Sequence, residues 1–86
     1  MEQLRKLIDD TDREITKLFE QRMNIVKEIA NYKKANGVVI NNSIREQEVI
    51  EKNIALLKDK GLEPFLKEFY ISLMDISKKY QMELNK

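Results

Sequence analysis

The amino-acid sequence predicts an all-α fold, a three-helix protomer with one very long N-terminal helix. Apolar residues recur at helical spacing through nearly all of the 86 residues. Only two glycines and one proline interrupt them, and these divide the chain into three segments. The length of the first segment points further, to a homodimer. The whole chain, residues 1–86, reads as one small domain with no internal repeat or low-complexity stretch.

Helix 1 is expected from about Glu2 to about Asn36, ended by Gly37 as the left-handed residue just past a helix terminus. Its seam is Leu4, Ile8, Thr11, Ile15, Leu18, Arg22, Ile25, Ile29 and Tyr32, alternating steps of four and three residues. That heptad-type spacing belongs to helices packed at a shallow angle. Leu7, Phe19 and Val26 widen the seam into a broader face. Such a helix is roughly 50 Å long at 1.5 Å per residue, more than two shorter helices can cover. A second copy of the chain is the natural cover.

Helix 2 is expected from about Ser43 to about Lys60, with Val49, Ile50, Ile54 and Leu57 as its buried stripe and Gly61 as its terminator. Helix 3 is expected from Pro64, a residue suited to a first helical turn, to about Leu84. It carries two inward stripes. One is Leu66, Phe69, Leu73, Ile76 and Tyr80; the other is Tyr70, Met74, Ser77, Gln81 and Leu84, polar in its middle.

Composition narrows the chemistry. There is no cysteine and no histidine. Disulfides, thiolate metal sites and every histidine-dependent triad are therefore out of reach. Sixteen basic residues against fifteen acidic ones form no basic stripe with interleaved aromatics, which leaves a nucleic-acid role without support. No apolar run approaches the ~20 residues of a membrane span. The opening Met1-Glu2-Gln3 is not that of a signal peptide. The chain reads as soluble and cytoplasmic.

The informative residues are those that break the apolar stripes. Arg22 occupies a seam position where leucine or isoleucine is expected, and a buried guanidinium needs a neutralising partner. A salt bridge to a neighbouring helix would serve, as would a side chain that snorkels out to water, and so would an anionic ligand. Lys33 lies eleven residues on, which returns it to within ~20° of the same helix face and ~16 Å along the axis. Two long cationic side chains can bracket a small ligand across that gap. Lys33 alone is better explained as a solvated lysine near a helix C-terminus, where a cation is favoured.

Arginine is sparse: Arg5, Arg13, Arg22 and Arg45 among twelve lysines. Planar bidentate binding of carboxylates is its usual reserved use, although Arg13 fits an ordinary surface arginine. Ser43-Ile44-Arg45-Glu46 fits a capping box with Ser43 as N-cap and Glu46 reaching back, and Asn42 is an equally good cap. Ser77 and Gln81 are neighbours at i and i+4, able to bond each other, a backbone carbonyl or a ligand.

Taken in order, Leu4-Arg5, Ile8-Asp9, Asp12, Arg22, Ile29-Ala30-Asn31-Tyr32-Lys33, Arg45-Glu46 and Ser77-x-x-x-Gln81 resemble the all-helical chorismate mutases. The resemblance runs from about Leu4 to Gln81 and rests on the spacing of dispersed polar residues. It implies an intertwined homodimer with two equivalent sites and the rearrangement of chorismate to prephenate, on the route to phenylalanine and tyrosine, without cofactor or metal. It implies that Arg22 and the second copy's Arg5 hold the substrate carboxylates. Lys33 would bridge a carboxylate and the ether oxygen, and Gln81 would donate to that same oxygen. Arg45 and Ser77 would help at the ring end, and Glu46 would take the ring hydroxyl. Asn42 stands where the family usually has aspartate, so its contact with a hydroxyl is expected to alter affinity rather than abolish activity. An isochorismate-pyruvate lyase on the same scaffold is the rival enzyme. A helical dimerisation module, with Arg22 merely paired to an acidic neighbour, is the non-enzymatic rival.

Chemistry and composition agree at the missing histidine. A Claisen-type rearrangement is concerted and unimolecular, so it asks for restriction and electrostatics rather than a base. Geometry independently favours two chains. On one straight helix Arg5 lies ~25 Å from Arg22 and ~42 Å from Lys33, too far for one small ligand. Antiparallel pairing about residue 16 sets Arg5 of one copy opposite Lys27 of the other, between Arg22 and Lys33.

Overall fold

The computed structural model describes residues 1–40 and 42–86. Its elements are α1 (Glu2–Ala35), α2 (Ser43–Ala55), a 3-10 turn (Lys60–Leu62) and α3 (Glu63–Leu84), with no strand among the described residues. None of the helices is long and apolar enough to cross a membrane.

The end of α1 follows from Gly37. That residue adopts φ 65°, which a side chain would disfavour, and lets the chain turn back so that the Val38 N–H donates to the Lys33 carbonyl at 2.8 Å. Pro64 sits in the first turn of α3, where its missing N–H costs nothing.

Two local expectations are corrected. Helix α2 stops at Ala55, five residues before Lys60. The Asn53 side chain donates to the Val49 carbonyl at 2.8 Å, and the last N–H groups, of Leu56 and Leu57, close tighter i−3 bonds to Asn53 and Ile54. Gly61 therefore does not terminate α2. It lies in the 3-10 turn, where its N–H donates to the Asp59 side chain at 3.0 Å. The second concerns the capping box alone, since α2 starts at Ser43 as expected and takes the other of the two caps the sequence offers. Asn42, not Ser43, is the N-cap, with Oδ1 accepting from the Arg45 N–H at 3.0 Å. The reciprocal arm of the capping box is absent, because the Glu46 carboxylate is engaged elsewhere.

Helix α3 packs against both α1 and α2. The core consists of Val26 and Ala30 of α1, Ile50 of α2, and Leu73 and Met74 of α3, with Ser77 and Gln81 buried beside them. Of the two stripes on α3, the one through Met74, Ser77 and Gln81 is covered. Phe69 and Ile76 of the other stay exposed, as does most of the α1 seam, including Leu4, Ile8, Ile15, Leu18, Ile25 and Tyr32.

The shape explains this. The molecule measures 50 × 24 × 15 Å with a radius of gyration of 15.5 Å. A compact chain of this length has a radius of about 12 Å. The accessible surface of 7138 Å² likewise exceeds the roughly 5,300 Å² of a compact monomer of this mass. The N-terminal half of α1 projects with its apolar seam bare, since neither α2 nor α3 extends far enough to cover it.

Candidate active site

The polar residues that break the stripes come together at one cleft of about 310 Å³ between the three helices. Helix α1 contributes Arg22 and Lys33, α2 contributes Arg45 and Glu46 with Asn42 at its cap, and α3 contributes Ser77 and Gln81. Val26, Ile29, Val49 and Met74 supply the apolar part of the lining. Seven of the eight predicted site residues thus share one cavity. The eighth, Arg5, lies on the bare end of α1, where it is exposed and pairs with Glu2 one turn earlier at 3.5 Å.

Each helix aims its side chains for a local reason. On α1, Val26 and Ala30 are pulled against α3, and this turns Arg22 and Lys33, which flank them at helical spacing, towards the cleft. Arg22 has no carboxylate within salt-bridge distance among the described residues. Its Nη1 donates instead to the neutral Ser77 hydroxyl at 2.6 Å, which in turn donates to the Leu73 carbonyl at 2.8 Å. The salt bridge that would make Arg22 purely structural is not formed among the described residues. Lys33 spends one of its three N–H donors on the Ile40 carbonyl at 3.0 Å, which ties the α1–α2 connection to the helix end.

Gln81 is only 6 % exposed, and its Oε1 has no hydrogen-bond partner among the described residues. An unsatisfied buried amide oxygen costs about 1–3 kcal/mol. Such an oxygen is free to accept from a water molecule or a ligand in the cleft. Arg45 lies at the rim, 3.4 Å from Glu48 one turn along.

Sequence reasoning missed one lining residue, Lys78. Its Nζ lies 3.0 Å from Glu46 Oε1 on α2 and 3.6 Å from Asp75 Oδ1 on its own helix. The hydrogen bond to Glu46, reinforced by both negative charges, raises its pKa above the ordinary 10.5, so the ammonium is charged throughout the neutral range. A signal was present: Lys78 stands four residues after Met74 and three before Gln81, on the face that both share.

The lining therefore carries four cations, Arg22, Lys33, Arg45 and Lys78, against the single carboxylate of Glu46. Glu46 is already matched by Lys78, which leaves three positive charges over a partly apolar floor. That composition suits a small ligand with carboxylates at one end and a hydrocarbon ring, and it offers donors rather than a nucleophile.

Fold and site together define an all-helical protein with a cleft between its helices whose lining carries an excess of positive charge. The comparison with known families makes this specific. The family model of chorismate mutase type II matches residues 4–82, and the chain belongs to that family. A chorismate mutase from Methanocaldococcus jannaschii is 31% identical over 61 residues, 71% of this chain. The aligned part spans 62% of that relative's length. No solved structure matches the chain.

Proposed function

We propose that the chain is a chorismate mutase, converting chorismate to prephenate without cofactor or metal in phenylalanine and tyrosine biosynthesis, in the cytoplasm. One observation carries the reading. Arg22, in the seam of α1, turns into the cleft with a neutral hydroxyl as its one hydrogen-bond partner among the described residues, beside Lys33 and the buried side chain of Gln81. Family membership supplies the substrate that such a cluster would take.

The working unit of this reading is an intertwined homodimer. Support comes from the bare seam on α1, the elongated shape and Arg5, which lies on the projecting half of the helix. Antiparallel pairing of two α1 helices would cover the seam and bring the second copy's Arg5 to the gap between Arg22 and Lys33. Two chains would then hold one dianion.

The chemistry follows from charge and shape. Chorismate's enolpyruvyl arm must be folded over its ring before the new C–C bond can form. Arg22 and the second copy's Arg5 grip the two carboxylates, offset their repulsion and remove the free rotations of the arm, which is the entropic part of catalysis. As the C–O bond lengthens, negative charge grows on the ether oxygen. Lys33 and the Gln81 amide N–H group donate to that oxygen and stabilise it most in the transition state. Glu46 accepts from the ring hydroxyl, with Arg45 and Ser77 at the ring end. Asn42 spends one lone pair of Oδ1 on capping α2, and keeps the other, with its amide N–H groups, for a hydroxyl.

The experiment is direct. Purified chain is given chorismate, and the products are separated. Prephenate supports the reading. Turnover of isochorismate to pyruvate and salicylate would instead assign the lyase, and no turnover of either would leave a helical dimerisation module.

A further inference from the structure

We infer that Lys78 is a positioning residue for the ring-hydroxyl contact, acting by holding the Glu46 carboxylate in one orientation across the mouth of the cleft; this rests on the reading of Glu46 proposed above. Among the described residues, seven ion pairs form, and six join residues three apart on one helix. The Lys78–Glu46 pair alone connects two helices, α3 to α2.

This pair is also better shielded than its neighbours. Both side chains are 29% exposed, against 47% or more for both partners of every pair not involving Lys78. Exposed local pairs contribute little, because water competes for both partners and the side chains stay free to move. A half-buried pair between two helices fixes where each group points. Asp75, one turn back on α3, lies 3.6 Å from the same ammonium and adds a second negative charge beside it.

The geometry leaves Glu46 able to work. Lys78 occupies Oε1. A carboxylate has about four lone-pair positions over two oxygens, so Oε2 remains open to accept a hydroxyl from a ligand in the cleft. Without Lys78, the carboxylate can swing out to solvent or towards Arg45, which precedes it on α2 and lines the same cavity. Lys78 therefore governs recognition of the hydroxyl through Glu46. A cation that merely attracted the dianion would act on every carboxylate ligand alike.

That distinction sets the test. Wild type, Lys78→Met and Lys78→Arg are titrated calorimetrically with two bicyclic ether dicarboxylates that mimic the folded substrate, one bearing the ring hydroxyl and one lacking it. Lys78→Met is expected to weaken the hydroxyl-bearing mimic about tenfold, as for one oriented hydrogen bond to a charged group. It should leave the deoxy mimic within about twofold, and Lys78→Arg, which can still bond Glu46, should behave as wild type. Equal weakening of both mimics, or no change in either, overturns the assignment. Turnover is measured separately. A wild-type chain that separates the two mimics yet does not convert chorismate would sink the proposed function and leave the role of Lys78 standing, whereas one that binds neither mimic overturns both.

Discussion

Arg22 of α1 and Ser77 of α3 are joined by a 2.6 Å hydrogen bond that crosses the cleft, with Ser77 anchored in turn to the Leu73 carbonyl. A guanidinium held by a neutral hydroxyl keeps its full charge for a ligand. The same contact fixes its direction. The bond thus ties α1 to α3 while leaving the cation free to meet an anion.

Arg22→Ala should therefore cost activity far more than stability. Ser77 keeps its bond to the Leu73 carbonyl in the variant, so the fold is expected to lose no more than about 1 kcal/mol. The value of kcat/KM should fall at least ~100-fold, as for loss of a transition-state electrostatic contact. Steady-state kinetics beside a thermal melt measure both, and near-normal turnover would remove Arg22 from the mechanism.

Gln81→Glu tests the donor at the ether oxygen. A carboxyl group donates only when protonated, and free glutamate titrates near about 4.3. Activity of the variant should climb as the pH is lowered from 8 towards about 5, while wild type, with an amide that does not titrate, should change little. A flat profile for the variant would contradict the role given to Gln81.

Much of this was legible in the sequence, and the failures have physical causes. Gly37 and Pro64 mark helix ends through backbone constraints that act within a residue or two, so the limits of α1 and α3 read correctly to within one residue. The end of α2 was hidden because Leu57 continues the apolar period and remains half-buried after the helix has stopped. Periodicity reports burial, not backbone hydrogen bonding. Ser77 and Gln81 were found as polar residues in an apolar stripe. Lys78 was not, because a lysine beside that stripe looks like a solvated flank until the partner on another helix is known. The capping box failed for the same reason: Glu46 had a better partner in space than in sequence.

The exposed seam gives a third expectation. Leu18 is 60% exposed on the isolated chain, so if the chain worked alone Leu18→Asp would shift stability by no more than about 0.5 kcal/mol. In the paired arrangement it sets a carboxylate into an apolar interface. The variant should sediment as a monomer where wild type sediments as a dimer, and lose activity because Arg5 no longer reaches the second site. Unchanged sedimentation and turnover would contradict the pairing.

Mixing two inactive variants probes the shared site most directly. Arg5→Ala supplies an intact Arg22, and Arg22→Ala supplies an intact Arg5. If each site takes Arg22 from one chain and Arg5 from the other, unfolding and refolding an equimolar mixture rebuilds one complete site in each mixed dimer. Random pairing then returns about a quarter of wild-type turnover from two proteins that have almost none alone. Turnover that stays at the level of the separate variants would contradict a site built from two chains.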